Sequence, residues 1–299
     1  MEMVWGNRIS TVALRTTNLA KEGIASRRSA LMASQNAVDP GSEDPIWSEI
    51  RKDIQGVSAG ESLLERFLQA TILEHASLES ALSFHLSNKL GSEMLPAEAF
   101  RKGIDEAFNS APEIGEAVRA DLCAIRERDP ACTSYWMPLL YFKGFHALQT
   151  YRYAHWLWGA DRRALAVHVQ NRVSEIFGVD IHPAATLGSG IFIDHATSVV
   201  MGETTVVEDD VSLLHEVTLG GTGKETGDRH PKIRRGVLIC AGAKVLGNVE
   251  VGEGAKIAAG SVVLSDVPPH STVAGIPAEI VGHPEADQPA LEMNSGLGV

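Results

Sequence analysis

Hydrophobic residues recur at helical spacing through the first half of the chain. Asp44 and Pro45 form a helix cap followed by a proline suited to the first turn, and Ile46, Ile50 and Ile54 then repeat every four residues. The pattern continues at Leu63, Leu64, Phe67, Leu68, Ile72, Leu73, Leu78, Leu82 and Leu86, and further helices open at Pro96 and break near Gly159 and Ala160. We therefore expect an all-helical domain over residues 45–177.

The hydrophobic period changes to six residues from Ile181 onward. This period is the signature of a parallel β-helix, in which each unit forms one short strand and three units form a coil of about 18 residues. A helical period of 3.6 does not fit it. Between Val217 and Ile233 the spacing indicates one repeat plus an insertion of about ten residues. The anchors of this β-helix, predicted over residues 178–281, are Ile181, Leu187, Ile193, Val199, Thr205, Val211, Val217, Ile233, Ile239, Val245, Val251, Ile257 and Val263.

Composition supports this division of the chain. Residues 181–281 hold 14 of the 28 glycines but a single aromatic residue, Phe192, as expected for a thin interior filled by small aliphatic side chains. No apolar run approaches the ~18 residues of a membrane span, and a net charge of −12 disfavours nucleic acid and anionic membrane as partners. The three cysteines suggest neither a disulfide framework nor a zinc site, so we expect a cytoplasmic protein.

Two segments lie outside these patterns. The first ~30 residues are basic and rich in Ser and Thr, and three interpretations stay open: a transit peptide, a disordered extension, or a start codon upstream of Met32. We expect residues 1–44 to be a flexible extension. The insertion contains a loop, residues 222–232, within a stretch (residues 222–236) that holds five basic residues and two acidic ones. It is either a solvated loop or a mobile loop that helps bind an anionic cofactor; its glycines lack the spacing of a nucleotide P-loop.

Six motifs stand out along the chain. They are DIHPAATLGSGIFIDHATSVVMGET, VTLGGTGKETGDRHPKIRRGVLICAGAKVLGN and IAAGSVVLSDVPPHSTVAGIPAEIVG in the repeat region, and HASLESALSFHLSNKL, RERDPAC and PLLYFKGFHALQTYRYAHWLW in the helical region. Together they resemble the serine O-acetyltransferase family. The resemblance covers roughly residues 45–282. It implies an α+β protein in which the helical domain mediates oligomerisation and is followed by a left-handed parallel β-helix of hexapeptide repeats, with residues 282–299 as a tail.

The resemblance also implies an activity, the transfer of acetyl from acetyl-CoA to the hydroxyl of L-serine. His195 of DHAT matches the general base, and Asp180 of DIHPA matches the carboxylate that orients it. A serine hydroxyl is too weakly acidic to attack a thioester unaided, so an imidazole must accept its proton. Asp180 precedes His195 by fifteen residues, slightly less than one coil, so we expect the two on adjacent coils of one subunit.

Further positions match the family's binding residues. The matches for serine are Asp129, Asp194, Arg229 and His230, with Arg229 suited to the carboxylate and the two Asp to the ammonium group. The matches for acetyl-CoA are Gly221, Thr222, Ala241, Lys256 and Ala259, and no metal is implied. We interpret Glu203 as a turn residue and His215 as a strand residue outside the site.

The resemblance further implies a hexamer built as a dimer of trimers, with active sites between neighbouring subunits, and inhibition by cysteine in the serine pocket. It also implies a C-terminal tail that binds O-acetylserine sulfhydrylase. The family's tail usually ends in Ile, whereas this chain ends in Val299, so that partnership stays open. Three alternatives are weighed. A γ-type carbonic anhydrase needs a paired HxxxxH that His195, His215 and His230 do not supply. A non-catalytic scaffold is disfavoured by intact Asp180 and His195. An acetyltransferase for homoserine or a sugar is disfavoured by Asp129 and the helical domain.

Overall fold

The structure is a computed structural model, which describes residues 44–223 and 226–296. All of the predicted N-terminal extension except Asp44, and the chain end at Val299, lie outside the described residues. Helices occupy the first part of the described chain. They are α1 (Pro45–Gly60), α2 (Ser62–Leu68), which continues into a π-helical turn (Gln69–Leu73), α3 (Leu78–Leu90), α4 (Ala97–Ser110), α5 (Pro112–Arg128), α6 (Trp136–Tyr141), α7 (Lys143–Gly159) and α8 (Arg163–Phe177).

The helix boundaries follow the sequence signals. Pro45 opens α1, and Ile46, Ile50 and Ile54 are its buried face. The predicted break near Gly159 is confirmed, because α7 ends there and α8 begins at Arg163. Gly178 ends α8 in the left-handed conformation, with φ of 66°, a conformation that glycine adopts without steric cost. The change from helices to strands therefore falls at this glycine.

Short strands follow, and they form a parallel β-solenoid as predicted. They are β1 (Val179–Ile181), β2 (Thr186–Leu187), β3 (Phe192–Ile193), β4 (Val199–Met201), β5 (Val206–Val207), β6 (Ser212–Leu213), β7 (Thr218–Gly220), β8 (Lys232–Ile233), β9 (Leu238–Ile239), β10 (Lys244–Leu246), β11 (Glu250–Val251), β12 (Lys256–Ile257), β13 (Val262–Val263), β14 (Thr272–Gly275) and β15 (Ala278–Gly282). Sheet A has the order β1-β4-β7-β10-β13, sheet B β11-β8-β5-β2, and sheet C β15-β14-β12-β9-β6-β3. Only the pair β14–β15 is antiparallel among these strands.

The predicted anchors form the interior of the solenoid. Twelve of the thirteen are buried, and Leu187 is half-buried. Phe192, the one aromatic residue of residues 181–281, is also buried. Because strands from successive coils stack their inward side chains, the core is a narrow column of aliphatic residues.

The strand register corrects the predicted size of the insertion. Partners in β1–β4, β2–β5 and β3–β6 lie 20 residues apart, as in Phe192 with Ser212, whereas partners in β4–β7 lie 18 apart, as in Val200 with Thr218. Two extra residues therefore lie between β3 and β4, at positions 194–198. Partners that span the loop lie 26 residues apart, as in Thr218 with Lys244, so the loop adds eight residues to a regular coil. The ten-residue estimate was wrong because it included the two residues of the earlier corner.

Helix α7 lies against two corners of the first coil. Near its start, Lys143 donates a hydrogen bond to the Thr197 hydroxyl, and near its end the Trp158 ring lies 5.1 Å from the His182 ring. Two buried ion pairs join the helices to the first two coils. Arg152 pairs with Asp121, which also accepts from the Ile191 amide. Arg128 pairs with Asp210 and also donates to the Gly190 carbonyl and the Ser212 hydroxyl.

The last described segment returns to sheet C. A short helix, α9 (Pro289–Glu292), buries Ala290, whose carbonyl accepts a hydrogen bond of 2.9 Å from Ser212. Among the helices that the structure describes, none has the length and apolarity needed to cross a membrane.

Candidate active site

The two-residue insertion between β3 and β4 carries His195. His195, Ala196 and Ser198 have φ of 55°, 59° and 60°, a region that residues with a side chain adopt only when the surrounding structure enforces it. The amide of Ser198 donates to the Gly178 carbonyl (2.7 Å), and the Thr197 carbonyl accepts from the Glu216 amide (2.7 Å). The buried Ala196 fixes the corner while the His195 side chain remains 75% exposed. The corner thus presents an accessible imidazole on a rigid backbone.

A carboxylate lies beside this imidazole. Asp194 Oδ1 lies 3.7 Å from His195 Nε2. Burial raises the pKa of Asp194, the His195 imidazole lowers it, and the charge of Asp129, the residue after α5, raises it further. The structure therefore places Asp194 beside His195, with Asp129 near enough for its charge to act on Asp194.

His215 is a neighbour of the site that the sequence interpretation missed. Its ring lies 5.9 Å from that of His195, and its buried Nδ1 has no hydrogen-bond partner within the described chain. The signal was available, because His215 lies 20 residues after His195 and the coil that separates them has 20 residues. The anchors recur every six residues through this segment, so the sequence pattern predicts a coil of 18 residues and does not reveal the two extra ones.

Arg229 and His230 lie at a different corner, between sheets A and B. The Arg229 guanidinium donates to Glu203 Oε2 (2.7 Å), and the Thr204 hydroxyl accepts from the amides of Arg229 (3.0 Å) and His230 (3.1 Å). Glu203, interpreted from the sequence as a turn residue, is therefore the carboxylate partner of Arg229.

The protonation of His230 follows from its contacts. The Thr204 amide donates to His230 Nδ1 (3.2 Å), and the Thr204 hydroxyl lies 2.9 Å from the same atom. Burial lowers the pKa of His230, and the nearby Arg229 charge lowers it further. The neutral ring with an acceptor at Nδ1 must carry its proton on Nε2, so His230 offers an N–H donor there.

Asp180 does not meet His195 within the chain, which differs from the expectation of a pair on adjacent coils. Its strand turns Val179 and Ile181 inward and Asp180 outward on sheet A, where Gln170 of α8 donates to its carboxylate (2.7 Å). Its charge instead reaches His182: burial lowers the pKa of His182, and the charges of Glu203 and then Asp180 partly oppose this effect. Asp180 thus belongs to the surroundings of the Arg229 corner, whereas His195 lies at the opposite corner of sheet A, between β3 and β4.

The residues predicted to bind acetyl-CoA divide into three groups. Ala241 and Ala259 lie in the corners stacked beyond that of His195, where the Gly260 amide donates to the Ala241 carbonyl (2.9 Å). Gly221 and Thr222 follow β7 at the Arg229 corner. Lys256 is buried in sheet C, and its ammonium donates to the Gly296 carbonyl of the tail.

The basic residues described around the loop are paired within the chain. Lys232 pairs with Asp228 (2.6 Å), Arg229 with Glu203, Arg234 with both Glu208 and Glu250, and Arg235 with Asp209. The local positive charge seen in the sequence is therefore largely balanced by carboxylates of neighbouring coils. Within residues 44–223 and 226–296, no group of three or more His, Cys, Asp or Glu side chains could hold a metal ion.

Comparison with known proteins assigns the family. Residues 46–150 match the family "Serine acetyltransferase, N-terminal", and residues 230–265 match "Bacterial transferase hexapeptide (six repeats)". The serine acetyltransferase of Salmonella typhimurium is 57% identical over 83% of this chain and 91% of its own length. The chain belongs to the serine acetyltransferase family. It is therefore an acyltransferase.

Solved serine acetyltransferases share the fold. The enzyme from Vibrio cholerae has a TM-score of 0.84 and 57% identity, covering 85% of this chain and 98% of its own. Serine acetyltransferases have also been solved with cysteine (TM-score 0.82, 52% identity, 84% and 98% coverage), with coenzyme A from Brucella abortus (0.80, 53%, 81% and 96%) and with serine from Neisseria gonorrhoeae (0.77, 53%, 80% and 98%).

Proposed function

We propose that this chain transfers an acetyl group from acetyl-CoA to the hydroxyl of L-serine, giving O-acetylserine and CoA in the cytoplasmic synthesis of cysteine. The observation that carries the proposal is the exposed His195 imidazole beside Asp194 and Asp129. The serine and coenzyme A complexes of relatives support the two substrates. A thiol-release assay with acetyl-CoA and serine, homoserine or a galactoside tests it: turnover with serine alone is expected, and preference for another hydroxyl overturns it.

His195 acts as the general base in this proposal. Its imidazole takes the hydroxyl proton as the serine oxygen attacks the thioester carbonyl, and the imidazolium then gives that proton to the departing CoA sulfur. The positive-φ corner supports this role because it holds the ring in place without covering it. We assign Asp180 the orienting role only in the assembled enzyme, since in one chain its carboxylate accepts from Gln170.

Serine binding requires both corners. Asp129 and Asp194 are suited to the ammonium group, Arg229 to the carboxylate, and His230 to an acceptor oxygen through its Nε2 proton. Because Arg229 pairs with Glu203 in this structure, the serine carboxylate would either replace Glu203 as the partner of Arg229 or share Arg229 with it. The two Asp residues and the Arg229–His230 pair lie on opposite sides of sheet A. A site between neighbouring subunits of a trimer would bring them together. Two such trimers would form the hexamer.

A mixing experiment tests this shared site. Assayed at serine concentrations below the wild-type KM, a His195→Ala chain and an Arg229→Ala chain are each expected to show about a tenth of wild-type activity or less. When the two chains are reassembled in equal amounts, about a quarter of the interfaces between neighbouring subunits combine an intact His195 from one subunit with an intact Arg229 from the other. Recovery of about that fraction of wild-type activity supports a shared site, and absence of any recovery contradicts it.

Acetyl-CoA would lie along the edge that carries His195. Ala241 and Ala259 expose backbone groups on successive corners there, which suits an extended pantetheine arm. Gly221 and Thr222 of a neighbouring subunit would face the same edge. Lys256 is suited to phosphate once its contact with the Gly296 carbonyl is released. Each coil thus adds a further contact along the arm.

Cysteine would inhibit by occupying the serine pocket, because it differs from serine only by sulfur in place of oxygen. The relative solved with cysteine supports it as a ligand. We also propose O-acetylserine sulfhydrylase as a partner of the tail; its expected contact, Val299, lies outside the described residues.

A further inference from the structure

The amino-terminal end of α7 packs directly against the corner that carries His195. A Cβ added at Gly144 would overlap the carbonyl oxygen of Ile193, the last residue of β3, and would lie 3.1 Å from the Ala196 Cβ. Glycine is unfavourable inside a helix, so its presence at the second residue of α7 allows this close approach. The position therefore admits no side chain without moving the corner.

A second contact comes from the preceding residue. Lys143 Nζ donates a hydrogen bond to the Thr197 hydroxyl, two residues beyond His195. The backbone of Thr197 is itself fixed, because its carbonyl accepts from the Glu216 amide. The corner is thus held by α7 on one side and by the next coil on the other.

The corner needs such support. Its two inserted residues break the regular coil, and His195, Ala196 and Ser198 all have positive φ, a conformation that relaxes unless neighbours enforce it. Further along the same edge, corners such as residues 240–243 have no insertion and follow the regular register. The next corner of this edge also holds a residue at positive φ, Glu216 at 59°, so the inserted residues and the consecutive positive φ of His195 and Ala196 are what distinguish the corner against α7.

We propose that Gly144 and Lys143 are positioning residues for the reaction. The start of α7 holds the inserted corner so that the His195 imidazole lies where it can take the proton of the serine hydroxyl. This inference rests on the proposed role of His195 as general base. Neither residue contacts the reacting atoms. They act through the backbone of residues 193–197.

Gly144→Ala tests the close approach, with Gly159→Ala as a matched control. Gly159 ends the same helix, and a Cβ there meets nothing within 4 Å. We expect Gly144→Ala to lower kcat by tenfold to about 10²-fold, the loss that a displacement of about 1 Å can cause, with KM for acetyl-CoA within about twofold of wild type. Gly159→Ala should keep both constants. Rates are expressed per folded chain, so a loss of stability alone does not lower kcat.

Lys143 and Thr197 provide a second test that does not depend on the folding of Gly144→Ala. We expect Lys143→Met and Thr197→Val each to lower kcat about tenfold, Lys143→Arg to restore it, and the double variant to be no worse than either single one. Additive losses in the double variant, or a Gly144→Ala enzyme that folds and matches Gly159→Ala in kcat, would overturn the proposal.

His195→Ala, assayed in parallel, separates this inference from the proposed function. If His195→Ala is inactive and the α7 variants are fully active, only the positioning role is wrong. If His195→Ala retains wild-type turnover, the general base is assigned wrongly and the positioning role falls with it.

Discussion

Asp194 Oδ1 lies 3.7 Å from Nε2 of His195, its neighbour in sequence, and burial raises the pKa of this carboxyl group. A raised pKa means that the folded state binds the proton more tightly than the unfolded state does. The free energy of unfolding therefore falls as the pH rises from the ordinary carboxyl value through the folded pKa, and at neutral pH the ionised Asp194 opposes folding.

Asp194→Asn should consequently separate stability from activity. We expect kcat/KM for serine to fall about 10-fold to 100-fold through loss of a charged partner, while urea unfolding at neutral pH shows no loss of stability. The fall in stability with rising pH that Asp194 causes should disappear in the variant. A variant that loses stability and activity in parallel would show that Asp194 is mainly structural.

Arg229 has two possible carboxylate partners, Glu203 in the chain and the proposed amino-acid ligand. Arg229→Ala should raise KM for serine and the inhibition constant for cysteine together, each by about 10-fold or more, because both ligands would lose the same charged hydrogen bonds. Steady-state kinetics with added cysteine measures both. Unchanged cysteine inhibition in a variant with weakened serine binding would contradict a shared pocket.

The buried rings of His85 and His146 should make the helical region less stable at acid pH. Their rings lie 5.0 Å apart; burial lowers the pKa of His85 to about 4 and that of His146 to about 3. Below about pH 6.5 only the unfolded chain is protonated, so stability is full above that pH and falls toward pH 4 by up to about 1.4 kcal/mol per pH unit for each ring.

His146→Gln should reduce the slope of the free energy of unfolding against pH by up to about 1.4 kcal/mol per pH unit, the contribution of one proton. Urea unfolding between pH 7.5 and 4.5 measures it, and tryptophan fluorescence suits the purpose because the described tryptophans all lie in helices. The exposed His168→Gln is the control and should keep the wild-type slope. An equal slope in His146→Gln and wild type would refute the assignment.

Asp121 and Arg152 form a buried ion pair, at 2.7 Å, that holds the loop before β3. Arg152→Met should lower the free energy of unfolding by about 3–5 kcal/mol, because it leaves a fully buried carboxylate without its cation. The double variant Asp121→Asn/Arg152→Met should regain much of that loss. Arg162→Met, which breaks the exposed pair with Glu106, is the control and should cost at most about 1 kcal/mol. Equal losses in Arg152→Met and Arg162→Met would contradict this account.

The fold was predictable because a period of six leaves few alternatives, and helical spacing with Pro45 and Gly159 marked the helices. The inserted corner was not predictable. Val199 and Met201 both face inward, so the hydrophobic pattern keeps its spacing although the register shifts by two residues. Sequence spacing therefore reported the period but not the register.

The candidate site divides in the same way. Asp194 and His195 are adjacent in sequence, so their proximity needs no knowledge of the coil. The pairing of Glu203 with Arg229 and the position of His215 depend on which corners stack, which follows from the register. What the sequence could not supply was the geometry between coils.

The role of His195 as the general base of acetyl transfer to serine is decided by one measurement, the steady-state kinetics of His195→Ala with acetyl-CoA and serine. The variant should fold and bind acetyl-CoA as wild type does, while its kcat with serine falls by roughly 10²–10⁴-fold. Turnover near the wild-type rate in a folded, acetyl-CoA-binding His195→Ala enzyme would contradict the account.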